Sequence, residues 1–300
     1  TDEYYEGEYL HDKKLLDLVG RVKVVHSPEA DRVEKEFNLC ELELVLKNGE
    51  RKVAVGDFPR GHFRNPMTDD EINARISERF EVLEEMTQAA IDGDVRALIV
   101  SGPAGLGKSF SVEQKLEANM IPDDCIVKGY VKATGLFKLL YQNRHKGDVL
   151  VFDDADSVFF DDVSLNLLKA VADTTERRRV SWLSEAVLVD ADSADVIPRS
   201  FDFNGSIVFI TNLDFDAQID RGSKLAPHLQ AMMSRSHYVD LTMKTRQDYI
   251  VRIRQVVKQG LLSDLNWLEA GEVMRFVEEN MENLRELSLR MVIKIARIRK

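Results

Sequence analysis

One octapeptide, Gly102-Pro103-Ala104-Gly105-Leu106-Gly107-Lys108-Ser109, constrains the fold of this chain more than any other feature. It matches G-x-x-x-x-G-K-[ST] in full, follows the apolar run Ala97 to Val100, and precedes a helical-looking stretch, Phe110 to Ala118. A strand that turns through glycines into a helix leaves backbone N–H groups converging at the helix's positive end, where they can cradle phosphate oxygens. Glycine allows the curl because it accepts backbone conformations that other residues resist. In that geometry Lys108 reaches the β- and γ-phosphates and the Ser109 hydroxyl ligates Mg²⁺. The expected ligands are ATP and Mg²⁺, with Gly102, Pro103, Ala104, Gly105, Leu106, Gly107, Lys108, Ser109 and Phe110 around the nucleotide. A strand-to-helix turn that carries Lys-Ser by chance is the plain alternative.

A second motif weighs against that alternative. Val149-Leu150-Val151-Phe152-Asp153-Asp154 is a hydrophobic run ending in two carboxylates. A buried strand here delivers Asp153 to the carboxyl edge of a sheet, where it holds Mg²⁺ through water. Asp154 would then orient and polarise an attacking water. The metal ligands are therefore expected to be Ser109 and Asp153. One strand and one helix fit between the two motifs, as in the P-loop branch with an inserted strand and a catalytic acid beside the metal aspartate. That acid is usually Glu, and Asp154 is one methylene shorter. The shortening favours slow hydrolysis or a nucleotide-switch role.

Patterning divides the chain of 300 residues, long enough for two or three packed units. Cys40, Leu42, Leu44 and Leu46 alternate with Glu41, Glu43, Val45 and Lys47, a half-buried strand pattern. Asn48-Gly49 before the extended run Arg51 to Val55 predicts a hairpin whose two turn residues both take positive φ. Pro59, Gly61 and Pro66 mark a connector. Thr68-Asp69-Asp70-Glu71 fits a capping box, and Ile72, Ile76, Phe80, Leu83 and Met86 recur at helical spacing. Further strands are expected at Cys125 to Lys128 and Ile207 to Thr211, a helix at Leu136 to Tyr141, and only helices from Thr245 onward. Nearly continuous apolar strands alternating with helices imply a parallel sheet covered on both faces. The expected fold is α/β, a three-layer P-loop NTPase core with a parallel sheet. A small N-terminal β-rich unit spans 1–66, the core 67–242 and a C-terminal helical lid domain 243–300.

Composition excludes other classes. A chain 44% hydrophobic and 31% charged reads as soluble and globular. No apolar run approaches the roughly 18 residues needed to cross a bilayer, so no membrane partner is expected. Cys40 and Cys125 lack metal-ligand spacing, and Thr1 to Leu10 is acidic and tyrosine-rich, unlike a secretory signal. A cytoplasmic setting follows, the host's if the chain is phage-encoded, as its compactness would suit. The formal charge of −11 argues against coating nucleic acid nonspecifically, though not against a local basic channel.

With these motifs the chain resembles the AAA+ ATPase superfamily from about Ile72 to the carboxyl terminus. Ile207-Val208-Phe209-Ile210-Thr211-Asn212 is similar to the sensor 1 strand, which implies that Asn212 helps position the water; a turn-starting Asn is the alternative. Met233-Ser234-Arg235-Ser236-His237-Tyr238 resembles the arginine-finger segment, which implies that Arg235 reaches a neighbouring subunit's nucleotide; Arg221 is a weaker competitor, and a surface ion pair the alternative. Glu286-Leu287-Ser288-Leu289-Arg290 is similar to a sensor 2 helix, with Arg290 touching the γ-phosphate from the lid, or else part of a solvated basic face. The catalytic set implied is Asp154, Asn212, Arg235 and Arg290. No Asn-Lys-x-Asp or LSGGQ-like segment favours a GTPase or a transporter ATPase.

The resemblance implies a homo-oligomeric ring, most often a hexamer, whose hydrolysis changes the angle between core and lid. Its target is open: an unidentified protein or complex that the ring remodels, nucleic acid in a helicase or clamp-loader role, or a scaffold that binds ATP with little turnover. Glu176-Arg177-Arg178-Arg179-Val180-Ser181-Trp182 would grip a nucleic-acid backbone, or be a solvated helix end with a core tryptophan. Tyr130, in Gly129-Tyr130-Val131-Lys132, would be a pore-loop aromatic or an ordinary packed tyrosine. Met232 and Met233 fill core gaps.

Overall fold

The computed structural model describes residues 17, 19–25, 40–56, 60–62, 65–183, 187–189 and 196–299. Thr1 to Leu10 and Pro59 lie outside the described residues. The chain divides into two units, Thr1–Met67 and Thr68–Lys300.

In the first unit β1 (Cys40–Val45) pairs antiparallel with β2 (Arg51–Gly56), from Cys40 opposite Gly56 to Val45 opposite Arg51. The turn differs from the expected two-residue form. Leu46 N donates to Glu50 O at 2.8 Å and Gly49 N to Leu46 O at 2.9 Å, closing a three-residue loop. Gly49 takes φ 83, while Asn48 stays out of the left-handed region. Asn48 instead spends its side chain on the turn, its Oδ1 accepting from Glu50 N at 3.0 Å. The alternation of the strand does not bury its leucines either: Leu42 and Leu44 are 61% and 49% exposed.

The second unit opens as the capping box predicts. Thr68 Oγ1 accepts from Glu71 N at 3.3 Å and Glu71 Oε2 accepts from Thr68 N at 2.8 Å. They start α1 (Asp69–Asp92), which Gly93 ends at φ 84. Ile72, Ile76, Phe80 and Leu83 are buried on one stripe. Next come β3 (Ala97–Ser101), α2 (Lys108–Ala118), β4 (Ile126–Lys128), α3 (Ala133–Gln142), β5 (Val149–Asp153) and α4 (Asp162–Val171). A short antiparallel pair, β6 (Arg179–Ser181) with β7 (Ser200–Asp202), precedes β8 (Ser206–Thr211), α5 (Phe215–Asp220), α6 (Ala226–Met233) and β9 (His237–Asp240).

Five strands form one parallel sheet in the order β4-β5-β8-β3-β9. Strand β8 therefore lies between β3, which feeds the glycine loop, and β5, which carries Asp153. Alternate residues point to opposite faces. Ala97, Ile99, Leu150, Phe152, Ile207 and Phe209 enter one cluster with α3, α4 and α6. Helix α1 packs against β3, β8 and β9. Phe152 and Phe209 stack with centroids 5.2 Å apart, a contact set by the register that places them opposite each other. Met232 is buried and Met233 packs on the same cluster, as gap-fillers should.

Strands β6, β7 and β9 are too short and polar to register in the pattern. The structure corrects the helix-end reading of the arginine run, whose residues Arg179–Ser181 are a strand. Arg178 is 6% exposed and donates to Val171 O at 2.9 Å and Gly205 O at 3.0 Å. Arg177 pairs with Asp202, and Arg179 donates to Ser200 Oγ. Trp182 leans on Phe137 at 5.8 Å.

The carboxyl-terminal helices α7 (Arg246–Val256), α8 (Trp267–Glu279) and α9 (Leu289–Arg299) share an apolar cluster that includes Ile250, Ile253, Val273, Val277 and Val292. No helix of the described residues is long and apolar enough to cross a membrane. Helix α7 is fastened to α1 by polar contacts. Arg75 pairs with the buried Asp248 at 2.8 Å, Arg254 with Asp69 at 2.7 Å, and Gln255 Nε2 donates to Asn73 Oδ1 at 2.8 Å. A π-turn, Val257–Leu261, follows, with Gly260 at φ 109.

Gly205 tests the packing at the start of β8. A Cβ there would meet the backbone carbonyl of Asn143 and come within 3.0 Å of that of Asp148, neither of which can swing aside. Gly205→Ala is expected to cost about 1–3 kcal/mol, the range for overpacking, read from chemical denaturation at constant m-value.

Candidate phosphate-binding site

All the sheet's chemistry-bearing residues emerge at its carboxyl edge, because parallel strands end on the same side. Ser101 of β3 is opposite Thr211 of β8, Asp153 of β5 opposite Ile210, and Lys128 of β4 opposite Asp153. Strand order reverses beside β3, since β4 and β5 lie beyond β8 on one side and β9 on the other. Ligand crevices in open parallel sheets form at such places.

The loop from Gly102 to Gly107 curls over this edge. Gly105 has φ 75, and a Cβ on it would stand 2.7 Å from Ser288 Cβ. Gly107 has φ 94 at the cap of α2, which aims the first N–H groups of that helix at the crevice. Leu106 anchors the loop at 2% exposure. A cavity of about 1130 Å³ opens here, lined among others by Gly105, Gly107, Lys108, Ser109, Asp153 and Asn212.

Lys108 is 5% exposed, and its ammonium donates to Gly102 O at 2.6 Å, Pro103 O at 2.8 Å and Asn212 Oδ1 at 2.9 Å. Burial pushes its pKa down to about 8 against the pull of Asp154 and Asp153, and Arg290 pushes the same way as burial. Ser109 Oγ donates to Asp153 Oδ1 at 2.8 Å. Two hard oxygen donors side by side suit Mg²⁺. Asn212 Nδ2 donates to Asp154 Oδ1 at 2.8 Å, so one amide spans Lys108 and Asp154. Its seat is fixed from below by Thr211, fully buried, whose Oγ1 accepts from Leu213 N at 2.9 Å. Asp156 bonds Thr211 from the β5 side, and burial raises its carboxyl.

Asp154 has a left-handed backbone, φ 52, and donates its N–H to Ile210 O at 3.0 Å. Aspartate is among the few residues enriched in that conformation. The turn itself thus supplies a reason for Asp where Glu would be expected.

Phe110 is 59% exposed at the cavity mouth, and Arg290 is exposed on its wall. Glu286 to Ser288 precede α9 and are not part of it. Ser288 Oγ accepts from Met291 N at 3.1 Å, so the segment is a helix start, and Leu289 N donates to Gly105 O at 2.9 Å. Arg299 pairs with Glu272. Arg235 stands apart from this cavity, in the turn between α6 and β9, donating to Ala231 O at 2.9 Å. Arg221 is an exposed residue after α5. Tyr130 is 77% exposed, which removes the packed-tyrosine reading.

Two cations at the site escaped sequence reasoning. Arg252 of α7 is 6% exposed, 3.4 Å over the Phe80 ring, and donates to Leu106 O at 3.2 Å and Gln255 Oε1 at 3.2 Å. Lys128 pairs with Asp153 Oδ2 at 3.1 Å and Glu113 Oε1 at 2.8 Å. The apolar run before Lys128 marked its strand, but only the register sets it beside Asp153.

Fold and site together define an α/β protein with a five-stranded parallel sheet and a glycine loop at its carboxyl edge. The sequence is 39% identical over 237 residues to the uncharacterized 36.7 kDa protein of the nrdC-mobD intergenic region of Enterobacteria phage T4, covering 76% of this chain and 70% of that protein. The chain belongs to the family of that phage protein. A family model described as the MmgE/PrpD C-terminal domain matches residues 1–93, a stretch that ends before the glycine loop. Among solved structures, domain III of the Thermotoga maritima replication initiation protein DnaA is similar over 72% of this chain and 79% of that one, with 16% identity and a TM-score of 0.41. NtrX from Brucella abortus in complex with ATP is similar over 66% of this chain and 51% of that one, with 12% identity and a TM-score of 0.35.

The left-handed backbone at Asp154 has a measurable cost. Asp154→Gly is expected to be more stable than Asp154→Ala by about 1 kcal/mol, the cost of a Cβ in that conformation. Paired denaturation curves of the two variants check it, and equal midpoints would mean that the turn is not strained.

Proposed function

We propose that this chain is an AAA+-type ATPase that binds Mg–ATP on the loop Gly102–Ser109. The carrying observation is the convergence of Lys108, Ser109, Asp153, Asp154 and Asn212 on one cavity, linked by hydrogen bonds of 2.8–2.9 Å. Glycine-loop N–H groups and Lys108 neutralise phosphate oxygens. Ser109 and Asp153 would hold Mg²⁺, which would supply charge stabilisation for the departing ADP. Asp154 takes the proton of the attacking water, and Asn212 holds both Asp154 and that water in place. Arg290 reads the γ-phosphate from α9, and residues 243–300 act as a lid.

Arg235 fits a role in trans, since it lies off its own chain's cavity, and the active species is then a homo-oligomeric ring in the cytoplasm. The target we favour is a protein or protein complex. Tyr130 and Phe160, 77% and 57% exposed, sit on loops that follow β4 and β5, joined where Val131 N donates to Ser157 Oγ at 3.0 Å. The nucleic-acid reading loses its main support, because Arg177, Arg178 and Arg179 are all engaged within the chain.

Lys108→Ala is expected to weaken ATP binding at least tenfold by titration calorimetry, roughly 1.4 kcal/mol or more; undiminished hydrolysis in that variant would refute the site. Asp154→Asn should retain ATP but lose about 10²–10⁴-fold in single-turnover cleavage, the usual worth of a general base. Arg235→Ala should bind ATP normally yet hydrolyse it slowly. Mixed with Lys108→Ala subunits it should regain activity, and no recovery at any mixing ratio would count against action in trans.

A further inference from the structure

Lys128 occupies a position that the proposed reaction does not explain. Its ammonium lies 3.1 Å from Asp153 Oδ2, the oxygen that the Ser109 hydroxyl leaves free, since Ser109 takes Oδ1 at 2.8 Å. On its other side Lys128 meets Glu113 Oε1 at 2.8 Å. Three elements build this row. Lys128 ends β4 directly opposite Asp153 of β5, while Ser109 and Glu113 are one helical turn apart on α2. Lys128 also lines the cavity with Ser109, Glu113 and Asp153.

Without this lysine two carboxylates and a hydroxyl would face one another across the metal position. Such a set attracts a divalent cation by itself, as two negative oxygens with a neutral third commonly do. With the lysine present half of that negative charge is cancelled before any metal arrives. Among the described residues no group of three or more His, Cys, Asp or Glu side chains could hold a metal ion alone. A metal that arrives with a nucleotide brings phosphate oxygens, and these add the negative charge that Lys128 removes.

We propose that Lys128 makes metal binding conditional on nucleotide: it stands in for the metal against Asp153 and withdraws onto Glu113 when Mg²⁺ enters with the phosphates. This rests on the nucleotide reading above. The transfer is short, because both seats are already within contact distance. Lys128 acts through Asp153 and is a positioning residue. Glu113 is the second seat, and the two residues affect metal affinity in opposite directions.

The test is direct binding of Mn²⁺, followed by the free-ion electron paramagnetic resonance signal, on the full chain with and without saturating ADP. Thermal unfolding shows that each variant is folded. Wild type should bind Mn²⁺ tightly only with ADP. Lys128→Met should bind it without nucleotide at least tenfold more tightly than wild type, and gain much less with ADP present. Glu113→Gln, which leaves the lysine only Asp153, should weaken Mn²⁺ binding in the presence of ADP. Unchanged nucleotide-free binding in Lys128→Met overturns the proposal, as does unchanged or tighter ADP-dependent binding in Glu113→Gln. If no variant binds ADP, the nucleotide reading fails. The nucleotide-free comparison then still decides whether Lys128 guards Asp153.

Discussion

A lysine ammonium removed from water must be surrounded by oxygens, and the edge of this sheet is organised around that demand at Lys108. Two backbone carbonyls of its own loop and the amide of Asn212 meet it within 2.9 Å. The loop can present those carbonyls only because its glycines bend where other residues would clash. Asn212 can arrive only because β8 is inserted between β3 and β5. The same insertion sets Asp154 within reach of the other end of that amide. One buried charge thus ties together the loop, the strand order and the acidic turn. Burial of an unsatisfied cation would cost several kcal/mol, so the arrangement leaves little freedom for substitution.

The carboxyl-terminal helices meet the loop through two distinct joints. Helix α7 is held to α1 by three polar pairs, and it sends Arg252 between Phe80 and the Leu106 carbonyl. Helix α9 touches Gly105 through a single backbone hydrogen bond from Leu289, and Ser288, just before the helix, packs on the same glycine. The first joint is a clamp and the second a light touch. Between them lies the π-turn with Gly260 in a conformation that only glycine takes easily.

Much of this was legible in the sequence wherever the determining interactions are local. The capping box at Thr68, the apolar strands β3, β5 and β8, and the glycine loop each depend on a few neighbouring residues. The pairing of Ser109 with Asp153 followed from two motifs that a parallel sheet must bring to one edge. What was not legible depends on register and on competition between partners. Lys128 has its place from standing opposite Asp153, and Arg178 its burial from carbonyls supplied by α4 and the approach to β8. Strands β6, β7 and β9 are three or four residues with polar members, recognisable only by the strands they join. Asn48 shows the competition in miniature: its side chain satisfied Glu50 N, and the turn changed type.

Strand β9 carries one more consequence. It is an edge strand bonded to β3 alone, with Arg235 just before it and Leu241 just after it. Leu241 N is tied to Ser101 O at 2.8 Å, and the Leu241 backbone lies where a side chain on Gly102 would have to go. The turn that carries Arg235 and the first glycine of the loop are therefore joined by the four residues of one edge strand and a single main-chain hydrogen bond.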